Sequence, residues 1–307
     1  MTKPSRDEWR KRRLQMEARR EKHSPRGGRE IRHWVQFSKL VRHFGRGIKL
    51  FGLYQRGVRN ALDIRLTRLE LAFDKLPAEF DGYRILQLSD LHFDALPGTT
   101  YAASKLVKDL EVDLCVLTGD YCRRVGGPFD HILPDFRDLV ARISATDGIY
   151  AVLGNHDAAD MVDAIEGLGI AALINESVSM RRGDAEIHIT GTDDVHYYYT
   201  DATDTALKAA PDGFKIALIH SAELADVAAN NGFDLYLAGH THGGQVCLPG
   251  GTPMVTHMVR FRRYARGLWR HGSMVGYTST GVGISALPVR YFNRGEVVLL
   301  TLRRRAK

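Results

Sequence analysis

Asp90-Leu91-His92, Gly119-Asp120, Gly154-Asn155-His156-Asp157, His220 and Gly239-His240-Thr241-His242 are the stretches of this 307-residue chain whose side chains could do chemistry together. Brought to one place, they supply carboxylates, an amide oxygen and several imidazoles. Oxygen and nitrogen donors mixed without thiolate suit Mn, Fe, Zn or Co, whereas Mg and Ca prefer all-oxygen shells. Asp90-x-His92 and His240-x-His242 each offer two donors within three residues. No second acid follows Asp120, which makes it the candidate for one carboxylate bridging two ions. A lone histidine at a strand end is more often a hydrogen-bonded turn residue than a ligand. The case rests on the set.

The elements that must position these residues are legible as apolar runs. Residues 85–88, 114–117, 150–153, 187–189, 216–219, 235–237 and 297–300 read as strands buried on both faces. Helix-like patterns lie near 101–111, 130–143, 157–168 and 221–230. This alternation predicts an α/β fold, and open α/β sheets bind ligands at the carboxyl ends of their strands. Five of these strands run directly into the polar stretches above. The first two intervals match the length of a βαβ unit. Small residues at Gly119, Gly154, Gly239, Gly243 and Gly244 allow sharp turns and close approach of the backbone.

In this order, the set resembles the motifs of the calcineurin-like metallophosphoesterases, over about residues 64–307. Gly239-His240-Thr241-His242-Gly243-Gly244-Gln245 and the tail Gly281-Val282-Gly283 with Pro288-Val289-Arg290 resemble a bacterial subgroup of membrane-associated phosphodiesterases related to YkuE and YaeI. The resemblance implies a four-layer α/β/β/α sandwich and two divalent metal ions. Asp90, His92, His242 and a bridging Asp120 would hold one ion. Asp120, Asn155, His220 and His240 would hold the other. It further implies hydrolysis of a phosphodiester or phosphoanhydride by a metal-activated water. His156 would stabilise the transition state or protonate the leaving oxygen, with Asp157 orienting it; the alternative for Asp157 is a helix N-cap. Related protein phosphatases carry Asp-Arg after a similar Gly-Asp. Here the acid is missing before Arg123-Arg124, which argues against that activity and leaves Arg124 as the candidate phosphate clamp.

The net charge of +7 is unevenly spread: residues 1–60 carry +13, and the remainder sums to −6. Residues 1–63 therefore read as a basic arm ahead of a catalytic domain over 64–307. Residues 1–30 have little apolar surface to offset the entropy of ordering, so disorder or a frayed helix is expected. Within 31–60, Val41, Phe44, Ile48, Phe51 and Val58 recur at helical spacing among Arg and Lys. Such a basic amphipathic helix suits an anionic membrane surface or the body of the protein itself. Three scattered cysteines form no disulfide framework. Without a run of roughly 20 apolar residues or a secretory core, the expected location is the cytoplasm, peripheral at the inner face of the membrane.

Three functions follow for comparison. The first is a phosphoesterase acting on a phosphate-containing substrate, lipid-linked in the manner of UDP-2,3-diacylglucosamine. The second is a nuclease or nucleotide phosphodiesterase of the same superfamily, with the arm on the phosphate backbone; the acidic body and absence of interleaved aromatics disfavour nucleic acid. The third is a non-catalytic, metal-bound scaffold. Asp193-Asp194 and Tyr197-Tyr198-Tyr199 read as a solvated turn, the alternative being a loop that borders the substrate, and the basic stretch with His257 and His271 reads equally as an exposed loop or as a surface for a substrate phosphate or lipid headgroup.

Overall fold

The computed structural model describes residues 5–19 and 43–305. The sequence expectations for residues 20–42, including the first part of the amphipathic segment, lie outside these residues. Helices α1 (Arg6–Arg19), α2 (residues 43–50) and α3 (Tyr54–Leu62) precede two six-stranded sheets. The first sheet is built from β1 (Arg65–Phe73), β2 (Arg84–Leu88), β4 (Leu114–Leu117), β6 (Ile149–Ala151), β7 (Ala171–Ala172) and β14 (Glu296–Arg304), in the order β1-β14-β2-β4-β6-β7. Helices α4 (Thr99–Val107), α5 (Leu133–Val140) and α6 (Met161–Glu166) cover its outer face. Short strands β3 (Glu111–Val112) and β5 (Ser144–Ala145) pair beside it.

The second sheet comprises β8 (Glu176–Arg182), β9 (Ala185–Gly191), β10 (Phe214–Leu218), β11 (Leu235–Ala238), β12 (Gly267–His271) and β13 (Met274–Thr278), in the order β12-β13-β11-β10-β9-β8. Its outer face is covered by α7 (Asp201–Lys208) and α8 (Ala225–Asn230). Side chains along a strand alternate between faces, and the sequence uses this at every central strand. Leu114 and Val116 of β4 point between the sheets, while Cys115 and Leu117 pack under the first helical layer. Ile216 and Leu218 of β10 meet them from the other sheet, while Ala217 and Ile219 serve the second helical layer. The result is the four-layer α/β/β/α sandwich. The parallel registers β2/β4, β4/β6 and β10/β11 carry the ends of these strands to one rim.

The N-terminal segments depart from expectation. Arg6–Arg19 is a docked helix that buries Trp9, Arg13 and Met16 on one face. Hydropathy conceals that face because its centre is an arginine. The Arg13 guanidinium pairs with Asp193, donates to the Asp157 carbonyl at 2.7 Å and lies over the Tyr198 ring at 3.3 Å. Trp9 Nε1 donates to the other oxygen of Asp193 at 2.7 Å. An Arg13→Ala chain leaves Asp193 buried without its partner, at a cost of about 3–5 kcal/mol. The expected outcome is faster amide hydrogen exchange in α1, residues 157–159 and residues 193–198; unchanged protection there would contradict it.

From residue 43 onward, where it is described, the segment read as one amphipathic helix is two. Gly52 takes φ +67° and separates α2 from α3. Gly57 is a packing requirement: a Cβ there would lie 2.6 Å from Val289 Cβ and 2.7 Å from Tyr291 Oη. α3 thus rests on the body, while Leu50 at the end of α2 and Phe51 just after it are exposed. Among the described residues no helix is long and apolar enough to cross a membrane.

Candidate metal centre

The loops that follow β2, β4, β6, β10 and β11 converge at the rim. Asp90, His92, Asp120, His240 and His242 all have positive φ, between 36° and 73°. L-residues avoid this region at about 1–3 kcal/mol each, a strain that surrounding structure must hold. It turns successive side chains inward at the strand ends. The space they need is left by glycine: a Cβ on Gly119 would come within 2.8 Å of His220 Nδ1, and one on Gly239 would collide with Ser89 Oγ and Asp90 Oδ2.

Two triads result, Asp90–His92–His242 and Asp120–His220–His240, each with its ligand atoms within 4.8 Å of one another and all six residues buried. His92 Nδ1 lies 2.7 Å from the Cys122 carbonyl and His220 Nδ1 lies 2.6 Å from that of Thr118. A carbonyl only accepts, so Nδ1 carries a hydrogen and Nε2 faces the site, which is how metal-binding imidazoles are oriented. Inside, His92 Nε2 is 3.2 Å from His242 Nε2 and 3.7 Å from Asp120 Oδ2. His220 Nε2 is 3.3 Å from Asp120 Oδ2, His242 Nε2 is 3.5 Å from Asp90 Oδ1, and Asn155 Oδ1 is 2.8 Å from His240 Nδ1. With metal–ligand bonds of about 2.1 Å, two donors on one ion stand roughly 3.0–3.4 Å apart. The buried nitrogens His240 Nε2 and His242 Nδ1 have no hydrogen-bond partner among the described residues. The donor set fits divalent cations.

Electrostatics agree. Burial lowers His92 to about 4 and holds His240 and His242 well below the ordinary imidazole range, with neighbouring imidazoles adding to the effect. These rings are neutral at pH 7, as ligands must be. Burial pushes Asp90 up to about 6. It also works to raise Asp120, but His220, His156 and His92 outweigh it and leave that carboxyl well below its usual range. His220 is the exception among the imidazoles. Burial favours its neutral form, yet Asp120 and Asp90 prevail and raise it to about 10.

The other sequence candidates are placed unevenly. His156 faces the centre with Nε2 3.9 Å from Asp120 Oδ2, and its Nδ1 is 2.6 Å from the Arg123 carbonyl. That carbonyl orients the ring; Asp157 has another task. Fully buried, Asp157 accepts the amides of Asp120 and Gly154 on Oδ2 and of Tyr121 on Oδ1, each at 2.8 Å, binding two ligand loops together. Nor does it cap a helix: the N-cap of α6 is Asp160. Arg124 is exposed and does not line the cleft, whereas Arg123 reaches Ala286 O at 3.0 Å on its wall. The physical reason is the turn after Tyr121-Cys122, which is buried and sends the following arginines outward.

Asp193 and Asp194 are buried, not solvated, because α1 engages the first and the amides of His196 and Tyr197 engage the second. Tyr197 and His257 line the cleft, together with His196 and Phe44. Sequence reasoning passed over His196, which sits alone after a pair of acids. Arg290 is fully buried and donates to the carbonyls of Thr280 at 2.8 Å and Gly281 at 3.1 Å and, at 3.3 Å, of His242, anchoring the loop beneath that ligand. His271 lies away from the cleft, its Nδ1 3.3 Å from Tyr264 Oη.

Residues 83–244, just over half of the chain, match the family model described as Calcineurin-like phosphoesterase. Among curated proteins, the "Uncharacterized metallophosphoesterase YkuE" of Bacillus subtilis (strain 168) is 27% identical over 251 residues, spanning 78% of this chain and 86% of the relative. The "Uncharacterized metallophosphoesterase YkoQ" of the same organism is 28% identical, spanning 78% and 90%. "Phosphodiesterase YaeI" of Escherichia coli (strain K12) is 29% identical over 249 residues, spanning 77% and 87%.

Proposed function

Because the chain belongs to the calcineurin-like phosphoesterase family and is a metal-dependent phosphoester hydrolase, we propose that it cleaves phosphodiester or phosphoanhydride bonds at two divalent ions, one held by Asp90, His92, His242 and Asp120, the other by Asp120, Asn155, His220 and His240. The observation that carries this reading is the pair of buried triads with donors at ligand spacing. Bound there, Mn, Fe, Zn or Co ions would polarise phosphoryl oxygens and acidify a water for attack on phosphorus. Asp120 supplies the negative charge shared between the triads. His156, unligated and held by Arg123, keeps a nitrogen available to protonate the leaving oxygen.

The substrate we assign is lipid-linked, of the UDP-2,3-diacylglucosamine kind. The cleft of about 220 Å³ beside the triads is walled on one side by Phe44, Val246, Met254, Val255 and Leu287, an environment that favours an apolar substituent on the phosphate. Phe44 belongs to α2, which leads to exposed Leu50 and Phe51 among Arg46, Lys49 and Arg56. That surface suits peripheral attachment to an anionic membrane. Purified protein with Mn should turn over lipid-linked diesters or anhydrides faster than soluble nucleotides. Turnover of soluble nucleotides with none of lipid-linked ones would remove the lipid assignment and leave the reaction class standing.

Metal uptake should also be visible in protons. His220, raised to about 10, is protonated at pH 7 in the metal-free chain and must lose that proton to become a ligand. Below about 10, displacement of this proton should make affinity rise by about tenfold per pH unit. Loading metal-free protein at pH 7 is expected to release about one proton per chain from this residue in a weakly buffered titration. Uptake with no proton release would contradict the assignment of His220.

A further inference from the structure

Three imidazoles that line the cleft, His156, His196 and His257, stand outside the donor triads, and the first two lie one beside each triad. His156 meets the ring of His92, in the first triad, edge-on at 5.0 Å. His196 lies against the ring of His240, in the second, at 4.3 Å. Both line the cleft. The second has no part in the chemistry described so far.

His196 is held in the manner of a histidine with one nitrogen reserved for use. Its Nδ1 lies 3.2 Å from Glu223 Oε2. Glu223 is itself buried, and its Oε1 accepts the amides of Val259 at 2.8 Å and Arg260 at 3.3 Å. The backbone is fixed as well: Asp194 accepts the His196 amide at 3.1 Å and that of Tyr197 at 2.7 Å. A carboxylate clamped in this way only accepts, so Nδ1 carries a hydrogen. Nε2, on the opposite side of the ring, has no hydrogen-bond partner among the described residues, and the side chain is 15% exposed. A ring needed only to pack against His240 would require no carboxylate behind it. Burying Glu223 carries a desolvation cost that an apolar neighbour would not.

We propose that His196 is a substrate-contacting residue that acts with a hydrogen on each ring nitrogen, Nδ1–H on the Glu223 carboxylate and Nε2–H donated to a non-bridging oxygen of the phosphoryl group seated at the second triad, with Glu223 as the residue that positions its ring. Charge on those oxygens must be stabilised during phosphoryl transfer, and a preorganised donor does so without reorganising as the reaction proceeds. The assignment rests on the phosphoester hydrolase reading of the site. It also divides the work: His156 serves the leaving oxygen, and His196 the phosphoryl group itself.

Two substitutions separate this role from a structural one. His196→Asn places an amide nitrogen near the Nδ1 position, so it keeps the Glu223 partner and deletes the Nε2 contact. His196→Gln carries an amide to about where Nε2 stood. Mn-loaded His196→Asn should keep the wild-type metal content and thermal midpoint, lose about 10²-fold in kcat/KM on a chromogenic diester, and bind inorganic phosphate about tenfold more weakly. His196→Gln should recover most of both losses. Unchanged kcat/KM and phosphate affinity in His196→Asn would overturn the proposal. So would metal loss in both variants in proportion to lost activity, which would make the ring a prop for His240. Phosphate affinity requires no turnover, so it decides the role of His196 even where the wild-type chain fails to cleave the diester; that failure would count against the diesterase reading alone.

Discussion

An Asp120→Asn chain is expected to fold, to lose about 10³-fold or more in kcat/KM on a phosphodiester, and to hold fewer metal ions than the parent. Asp120 is the carboxylate that reaches both triads: Oδ2 lies 3.7 Å from His92 Nε2 in one and 3.3 Å from His220 Nε2 in the other. The substitution preserves shape. Asn can still accept the His156 amide, now 2.9 Å from Oδ1, and the backbone amide at position 120 can still donate to Asp157. What disappears is a negative charge, and with it the largest of the influences that keep His220 protonated in the metal-free chain. Metal analysis, the thermal midpoint and kcat/KM measured on one preparation separate these effects. A full metal complement with near-parental turnover would sink the bridging role of Asp120.

His156→Ala should behave differently. Its Nδ1 is committed to the Arg123 carbonyl, and the ring stands 5.0 Å from that of His92, outside both triads. Removing it deletes no donor. The expected result is a fall in kcat of about 10²–10⁴-fold with metal content unchanged. The loss should be greatest for alkyl leaving groups and smallest for p-nitrophenolate, which departs without a proton. Equal losses across leaving groups would assign His156 to charge stabilisation instead of proton donation. Metal loss would assign it to the ligand shell.

Asp157 shows why two neighbours in one motif divide so sharply. Gly154-Asn155-His156-Asp157 offers three polar side chains in a row, and the turn can aim only some of them at the rim. His156 is aimed there and Asn155 meets His240. Asp157 turns back beneath the loop, where three amides would otherwise lack a partner. The same accounting explains Asp193 and Asp194. An acidic pair in a loop reads as solvated until a buried arginine, an indole and backbone amides claim its oxygens.

The sequence by itself determined the family, the layered α/β architecture and the order in which strands deliver polar residues to a rim. Those properties follow from local pattern: apolar runs of strand length, helical spacing between them, and short motifs at the strand ends. The tertiary structure decided what each side chain meets. It folded an arginine-centred helix onto the body, split the supposed amphipathic helix at Gly52, withdrew Arg124 from the cleft and brought His196 into it. These outcomes depend on partners far away in the chain, such as Arg13 with Asp193, Gly57 with Val289 and His196 with Glu223. Hydropathy and spacing describe a residue among its neighbours in sequence; the energy of a buried charge or a close packing contact is set by neighbours in space.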